Sequence, residues 1–226
     1  MKITVIGANG RTGRLVVKDA LTRGHQVVAV ARTGRLSEPD DENLTSASAD
    51  IHDADALKRA LDGADAVISA LGAGTSRAPT DVYSTGVRNT LSAMKSGGAT
   101  KLAVISAVPA APWEEQPMLQ RRVALPLLQR IFGATYDDMR RMEAILRETS
   151  GVDWIALRPP RLVDKRPEGA YRIDTGPLAK GRAITYGDLA TALLDSLIRP
   201  DLYGHAAYVA NQRRRLAHAS TAAGHH

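Results

Sequence analysis

Residues 2–35 read KITVIGANGRTGRLVVKDALTRGHQVVAVARTGR, and Gly7, Gly10 and Gly13 stand between a short apolar run and a helical pattern. Glycine at the first position permits a tight turn. At the second it lets the backbone approach a pyrophosphate, and at the third it lets a helix pack closely on the strand. The helix start then offers free N–H groups and a positive dipole end to the phosphate charge. In this strand, loop and helix order the stretch predicts a dinucleotide-binding turn, with Asn9, Arg11 and Thr12 between the glycines as further contacts.

The rest of the chain repeats the strand and helix rhythm. Apolar β-type runs fall at Ile3 to Ile6, Gln26 to Ala31, Leu44 to Ala49, Ala64 to Ala70, Lys101 to Ala107 and Asp153 to Leu157. Helical patterns fall near Thr12 to Thr22, Asp53 to Leu61, Thr80 to Lys95 and Tyr136 to Glu148. That alternation predicts an α/β fold: a Rossmann-like doubly wound parallel sheet with helices on both faces and a small C-terminal substrate-side region. Asp53 reads as an N-cap, and Thr185 with Asp188 as a weak capping box. Residues 1–210 are expected to form one nucleotide-binding domain, with 108–134 as an amphipathic insertion or lid and 211–226 as a loosely ordered tail. The 226 residues suit this plan, and with 44% hydrophobic but only 4% aromatic residues the core must be built from Val, Leu, Ile and Ala.

Composition narrows the partners. Cysteine is absent, which excludes disulfides and thiolate chemistry. The net charge is +6, but Arg213, Arg214 and Arg215 supply three of those charges. That favours a small anionic ligand over nucleic acid. No signal segment or long apolar span is evident, so a cytoplasmic monomer or homodimer without stable membrane insertion is expected. The histidines His25, His52, His205 and His218 show no metal-ligand spacing, and no metal is expected. Neither a Gly-x-Ser-x-Gly elbow nor a Walker loop occurs.

The second apolar run ends at Arg32, Thr33, Gly34 and Arg35. An acid at this place would accept hydrogen bonds from the adenosine ribose and repel the extra phosphate of NADP. Arginines instead predict NADP(H), through guanidinium–phosphate recognition by Arg32 and Arg35, with Arg11 as a third cation nearby.

Taken together, TVIGANGRTG, VARTGRL, HDADALKRALDGADAVISALG preceded by Asp50, LAVISA and RMEAILRETSGVDWIALRPPRL resemble the atypical short-chain dehydrogenase/reductase group. The G-x-x-G-x-x-G spacing is of that type. Within the group the sequence is most similar to flavin reductase/biliverdin-IXβ reductase and NmrA-like NAD(P)H-binding proteins, over about residues 1–210. The resemblance implies that Asp50 and the Ala70, Leu71, Gly72 segment lie around the adenine. It places Ser106 near the nicotinamide, and Pro159 and Pro160 beside the carboxamide. Position supports these assignments, since Gly72, Ser106 and Pro159 fall at carboxyl ends of predicted strands, where an open parallel sheet binds its ligand.

One departure limits the chemistry. Alcohol-oxidising relatives place Tyr-x-x-x-Lys on a helix, where the lysine lowers the tyrosine pKa for proton transfer. Here the helix begins TYDDMRRME. Tyr136 and Arg140 share a face and would imitate the pair, but aligning Glu143 with the glutamate of that motif puts Met139 at the lysine position. The histidine that flavin-reductase-like relatives carry nearby is missing. With Ser106 and Tyr136 as the candidate catalytic residues, hydride transfer to a flavin, quinone or similar redox acceptor is expected, or else a non-catalytic NADP(H) sensor. Before that helix, Leu119, Val123, Leu127 and Phe132 form an apolar stripe away from Arg121, Arg122 and Arg130, and Pro126 predicts a kink or restart.

Overall fold

The computed structural model describes residues 1–33, 41–74, 78–115, 124–178 and 181–212. Its elements are β1 (Lys2–Ile6), α1 (Arg11–Thr22), β2 (Gln26–Ala31), β3 (Leu44–Ser48), α2 (Ala54–Ala60), β4 (Ala66–Ser69), α3 (Val82–Gly97) and β5 (Lys101–Ile105). There follow α4 (Ala124–Arg147), β6 (Asp153–Arg158), β7 (Leu162–Val163), β8 (Tyr171–Asp174), β9 (Ile184–Thr185), α5 (Tyr186–Ser196) and β10 (His205–Asn211). Eight strands form one sheet in the order β3-β2-β1-β4-β5-β6-β10-β8, parallel except for the antiparallel β8. The reversal of strand order at β1 and β4 is the switch point of a doubly wound Rossmann-like sheet, as the alternation predicted.

Both faces of the sheet are covered, which explains strands that are apolar at successive positions rather than alternate ones. Ile3 and Val5 point to the face packed by Val16 and Val17 of α1 and Leu189 and Leu193 of α5. Ile6 turns to the other face, with Leu57 of α2, Val87 of α3 and Leu146 of α4.

Local chemistry sets the helix starts. Asp53 caps α2 by accepting from the Ala56 N–H at 2.9 Å. The α3 start takes its cap from a distant residue: buried Asp138 of α4 accepts from the Tyr83 N–H at 2.8 Å and the Ser84 N–H at 3.4 Å. At α5, Thr185 accepts from the Asp188 N–H at 3.0 Å, which is half of the capping box. Its other half goes elsewhere, because Asn211 Oδ1 takes the Thr185 N–H, while the Asp188 carboxylate holds the N–H groups of Glu168 and Gly169. Burial pushes the Asp188 carboxyl up, but those hydrogen bonds, with others from Thr185 and Asn211, outweigh it and hold it below the usual carboxylate range.

Two expectations need correction. The helix expected from Tyr136 begins at Ala124, and its break is at Phe132, not Pro126. Proline in a first helical turn displaces no internal hydrogen bond, whereas Phe132 precedes Gly133, a poor helix former. Strands β8 and β10 carried no signal of their own. Arg35, Leu119, Arg121, Arg122 and Val123 lie outside the described residues.

Candidate functional site

The turn after β1 is built by close backbone approach. Gly7 has φ +79°, and a Cβ there would lie 2.8 Å from the Ala70 carbonyl oxygen. At Gly13 a Cβ would fall 2.2 Å from the Gly7 carbonyl oxygen, so only glycine fits while α1 keeps its place. Gly10 is different: its Cβ would stand 3.2 Å from the Gly7 oxygen, and it caps α1 without a side-chain hydrogen bond. The space above Gly10 and the α1 N–H groups therefore suits a phosphate, and the residues present fit a dinucleotide.

Beside this turn a cavity of about 460 Å³ opens at the carboxyl ends of β1 to β4. Gly7, Asn9 and Gly10 form one wall; Arg32 and Thr33 end the β2 side; Asp50 and His52 follow β3; Leu71 and Gly72 follow β4. The adenine and ribose residues expected from the sequence are thus brought together around one hollow. Arg32 is exposed on its rim. Thr12 and Gly13 are buried beneath, in the first turn of α1, and Ala70 is buried next to Gly7. Two contacts that sequence reasoning missed tie the lining residues Ile51 and Ala73 to α3. Asn89 Nδ2 donates to the Ile51 carbonyl at 2.6 Å, and the Ala73 N–H donates to the Tyr83 hydroxyl at 3.2 Å. No short motif signals either, because both partners are distant loop backbone.

Arg11 departs from expectation. Its guanidinium lies 3.6 Å from the Asp164 carboxylate and 5.6 Å from the centre of the Tyr186 ring, and it does not line the cavity with Arg32. An exposed arginine at the first turn of α1 reaches α5 and the segment after β7 instead.

At the other half of the sheet, Ser106 follows β5 directly, but its hydroxyl is buried and donates to Glu143 Oε1 at 2.7 Å. Glu143 also accepts from Arg158, Nε to Oε1 at 2.9 Å and Nη2 to Oε2 at 2.6 Å, and from Arg147 Nη2 at 2.8 Å. Arg158 in turn gives Nη1 to Glu115 Oε2 at 2.9 Å, and the Tyr208 hydroxyl donates to that same oxygen at 2.7 Å. Burial works against the Arg158 charge, but Glu143 outweighs it and holds the guanidinium firmly protonated. Sequence reasoning named only Ser106 for a role in this set; Glu143 served merely to align the helix, and residues 115, 143, 158 and 208 meet only in the fold. Pro159 is buried, and its carbonyl accepts from the Val108 N–H at 3.0 Å, which ties the exits of β5 and β6 together.

Tyr136 is partly buried, with Phe132 edge-on at 6.4 Å. Burial, aided by Tyr83, pushes its hydroxyl above the usual phenol value, the reverse of what a proton-transfer tyrosine needs. Arg140 does not pair with it: the guanidinium is hydrogen-bonded to Asp137, the Pro109 carbonyl and Gln129. Met139 is buried in the core. Among the described residues no group of three His, Cys, Asp or Glu is placed to hold a metal ion, and no helix is long and apolar enough to cross a membrane.

Comparison with known proteins agrees with this geometry. A family model described as NAD(P)H-binding matches residues 7–200. YwnB, an uncharacterised protein of Bacillus subtilis (strain 168), is 27% identical over 207 residues, covering 89% of this chain and 94% of its own length. The oxidoreductase ylbE from Lactococcus lactis superposes with a TM-score of 0.77 at 21% identity, over 94% of this chain and 92% of its own. A candidate NADH-flavin reductase from Streptococcus pneumoniae TIGR4 gives 0.75 at 21% identity, over 94% of this chain and all of its own (100%). At such identities the structural likenesses speak for the fold.

Proposed function

Because the chain belongs to the NAD(P)H-binding family, we propose that it is an NADPH-dependent reductase that passes hydride to a flavin, quinone or similar redox acceptor. One contrast carries this reading: the glycine turn and the start of α1 leave room for a pyrophosphate, while Tyr136 has no cation beside it among the described residues, Arg140 being committed to Asp137. An acceptor that manages its own protons needs no relay. The nicotinamide supplies the hydride when bound, and the protein supplies binding and orientation.

In this reading the glycine turn and the start of α1 hold the pyrophosphate, Asp50 and residues 70–72 border the adenosine, and Arg32 and Arg35 meet the 2′-phosphate. Ser106 acts by its place at the β5 exit, where Glu143 fixes it; Tyr136, packed edge-on against Phe132, is given no proton-transfer step. Preference for NADPH rests on Arg32 at the cavity rim, with no carboxylate at that position of β2. Arg32→Ala is expected to narrow the ratio of NADPH to NADH affinity by ten- to a hundredfold, the loss of about 1.5–3 kcal/mol for one charge-assisted contact. Titration by nucleotide fluorescence reads this directly. Equal affinity of the unmodified protein for both nucleotides would remove the NADPH assignment.

Steady-state NADPH oxidation with FMN, riboflavin, quinones, simple ketones and aldehydes tests the activity. Turnover of the redox acceptors with little or none of the carbonyls is expected, and Tyr136→Phe should stay within about twofold of the parent rate, since no proton donation is lost. Tight NADPH binding with no turnover on any acceptor would assign the protein to nucleotide sensing. Carbonyl reduction that depends on Tyr136 would overturn the reading of α4.

A further inference from the structure

We propose that Arg158 and Tyr208 form the anion-recognition point of the acceptor pocket, and that Glu115 is a built-in carboxylate filling it until an acceptor bearing its own carboxylate or phosphate displaces it. The two donors converge on one oxygen, Glu115 Oε2, from Arg158 Nη1 at 2.9 Å and the Tyr208 hydroxyl at 2.7 Å. They are register partners on β6 and β10, so their side chains stand side by side, and the guanidinium carbon lies 5.4 Å from the Tyr208 ring centre. Glu143 takes Arg158 through Nε and Nη2. That grip fixes the guanidinium plane and leaves the Nη1 edge set for a ligand. The Tyr208 hydroxyl keeps its proton, since burial and then Glu115 raise it well above the usual phenol value.

Three features make Glu115 the replaceable member. Its side chain is 39% exposed against 2% for Arg158, and it ends the short 3₁₀ turn Trp113–Glu115 rather than belonging to the sheet. Within this set of side chains its departure leaves Arg158 and Arg147 facing Glu143, two positive charges against one negative, so the point still attracts an anion. The adjoining hollow has only about 60 Å³ with Glu115 in place, between walls that include Pro160, Pro177, Leu178 and Gly181. That holds a water or two and no planar acceptor. The hollow borders Val108 at the β5 exit, the side on which the reductase reading puts the acceptor. The identity of the occupant rests on that reading; the geometry of the anion point does not.

FMN and riboflavin share one ring system and differ by a phosphate, so they separate the anion point from the rest of the pocket. Each is titrated by flavin fluorescence into protein saturated with NADP⁺, which keeps the flavin phosphate out of the adenosine cavity. Glu115→Gln, which removes the competing charge and keeps the shape, is expected to raise the ratio of FMN to riboflavin affinity about tenfold, and adding Tyr208→Phe should reverse most of that gain. A ratio unchanged by Glu115→Gln overturns the proposal. Inorganic phosphate that displaces FMN at equal concentration would overturn the acceptor as occupant, because a free anion would then suffice. NADPH oxidation run in parallel reads the reductase assignment independently: turnover of both flavins with an unchanged ratio sinks the anion point alone, and a tenfold rise without turnover sinks the reductase alone.

Discussion

Gly10→Val is expected to abolish dinucleotide binding while leaving a folded protein. The Gly10 backbone is extended (φ −71°, ψ 161°), a conformation that valine adopts readily, and the first side-chain atom would press only on the Gly7 oxygen, at 3.2 Å a tight contact that the turn must relieve by a slight shift. The branched methyls would then stand over the helix start, in the space the pyrophosphate needs. A loss on the order of a hundredfold or more in affinity follows, about 3 kcal/mol, with a melting temperature close to the parent's. Gly13→Ala is the contrasting variant. Its one added carbon would lie 2.2 Å from the Gly7 oxygen and 2.9 Å from the Ala8 Cα, both backbone, so α1 must move off the strand. Overpacking of that kind costs about 1–3 kcal/mol or more of stability. Circular-dichroism melts and nucleotide titration on the two variants separate a ligand site from a packing site. Normal binding by a folded Gly10→Val protein would mean that the phosphate lies elsewhere.

The contrast between these glycines also shows what the chain makes legible. Their spacing after an apolar run is a local pattern, and the four central strands and their helices are equally local, each strand being a short continuous apolar run next to a helical period. β8 is not. YRID has no face of its own and is held by pairing with β10, which itself joins β6 across nearly fifty residues of sequence. The candidate site divides along the same line. Its adenosine half is built from residues that immediately follow strands, which strand order predicts. The acceptor half depends on which long side chains meet, and nothing in the spacing of Glu115, Glu143, Arg158 and Tyr208 says that they do. Arg11 illustrates the same point from the surface, since a long exposed cation at a helix start can turn toward the phosphate site or toward Asp164, and only the packing of α1 against α5 decides.

Glu143→Ala is expected to cost about 3–5 kcal/mol of folding stability, the usual penalty for leaving one partner of a buried ion pair behind. Both partners are nearly inaccessible, Glu143 at 1% and Arg158 at 2%, so water cannot replace the lost oxygens without opening the sheet exit. Without the carboxylate, the Arg158 charge has only Glu115 at its outer edge, and the Ser106 hydroxyl loses its acceptor. For a chain of this size the loss corresponds to a fall of roughly 10 °C in melting temperature. The decisive comparison is the double variant Glu143→Leu with Arg158→Met. Replacing both charges by apolar groups of similar length removes the desolvation cost along with the attraction, so most of the loss should be regained, leaving about 1–3 kcal/mol for the buried Ser106 hydroxyl that still lacks its acceptor. Recovery would show that the penalty of the single variant is a stranded charge, and that the pair positions Ser106 and the β6 exit rather than holding the fold. A double variant as unstable as the single would show instead that the shape of the network supports the core. A single variant within 1 kcal/mol of the parent would mean that Arg158 finds water or another partner at once, and that the site is far more open than this geometry requires.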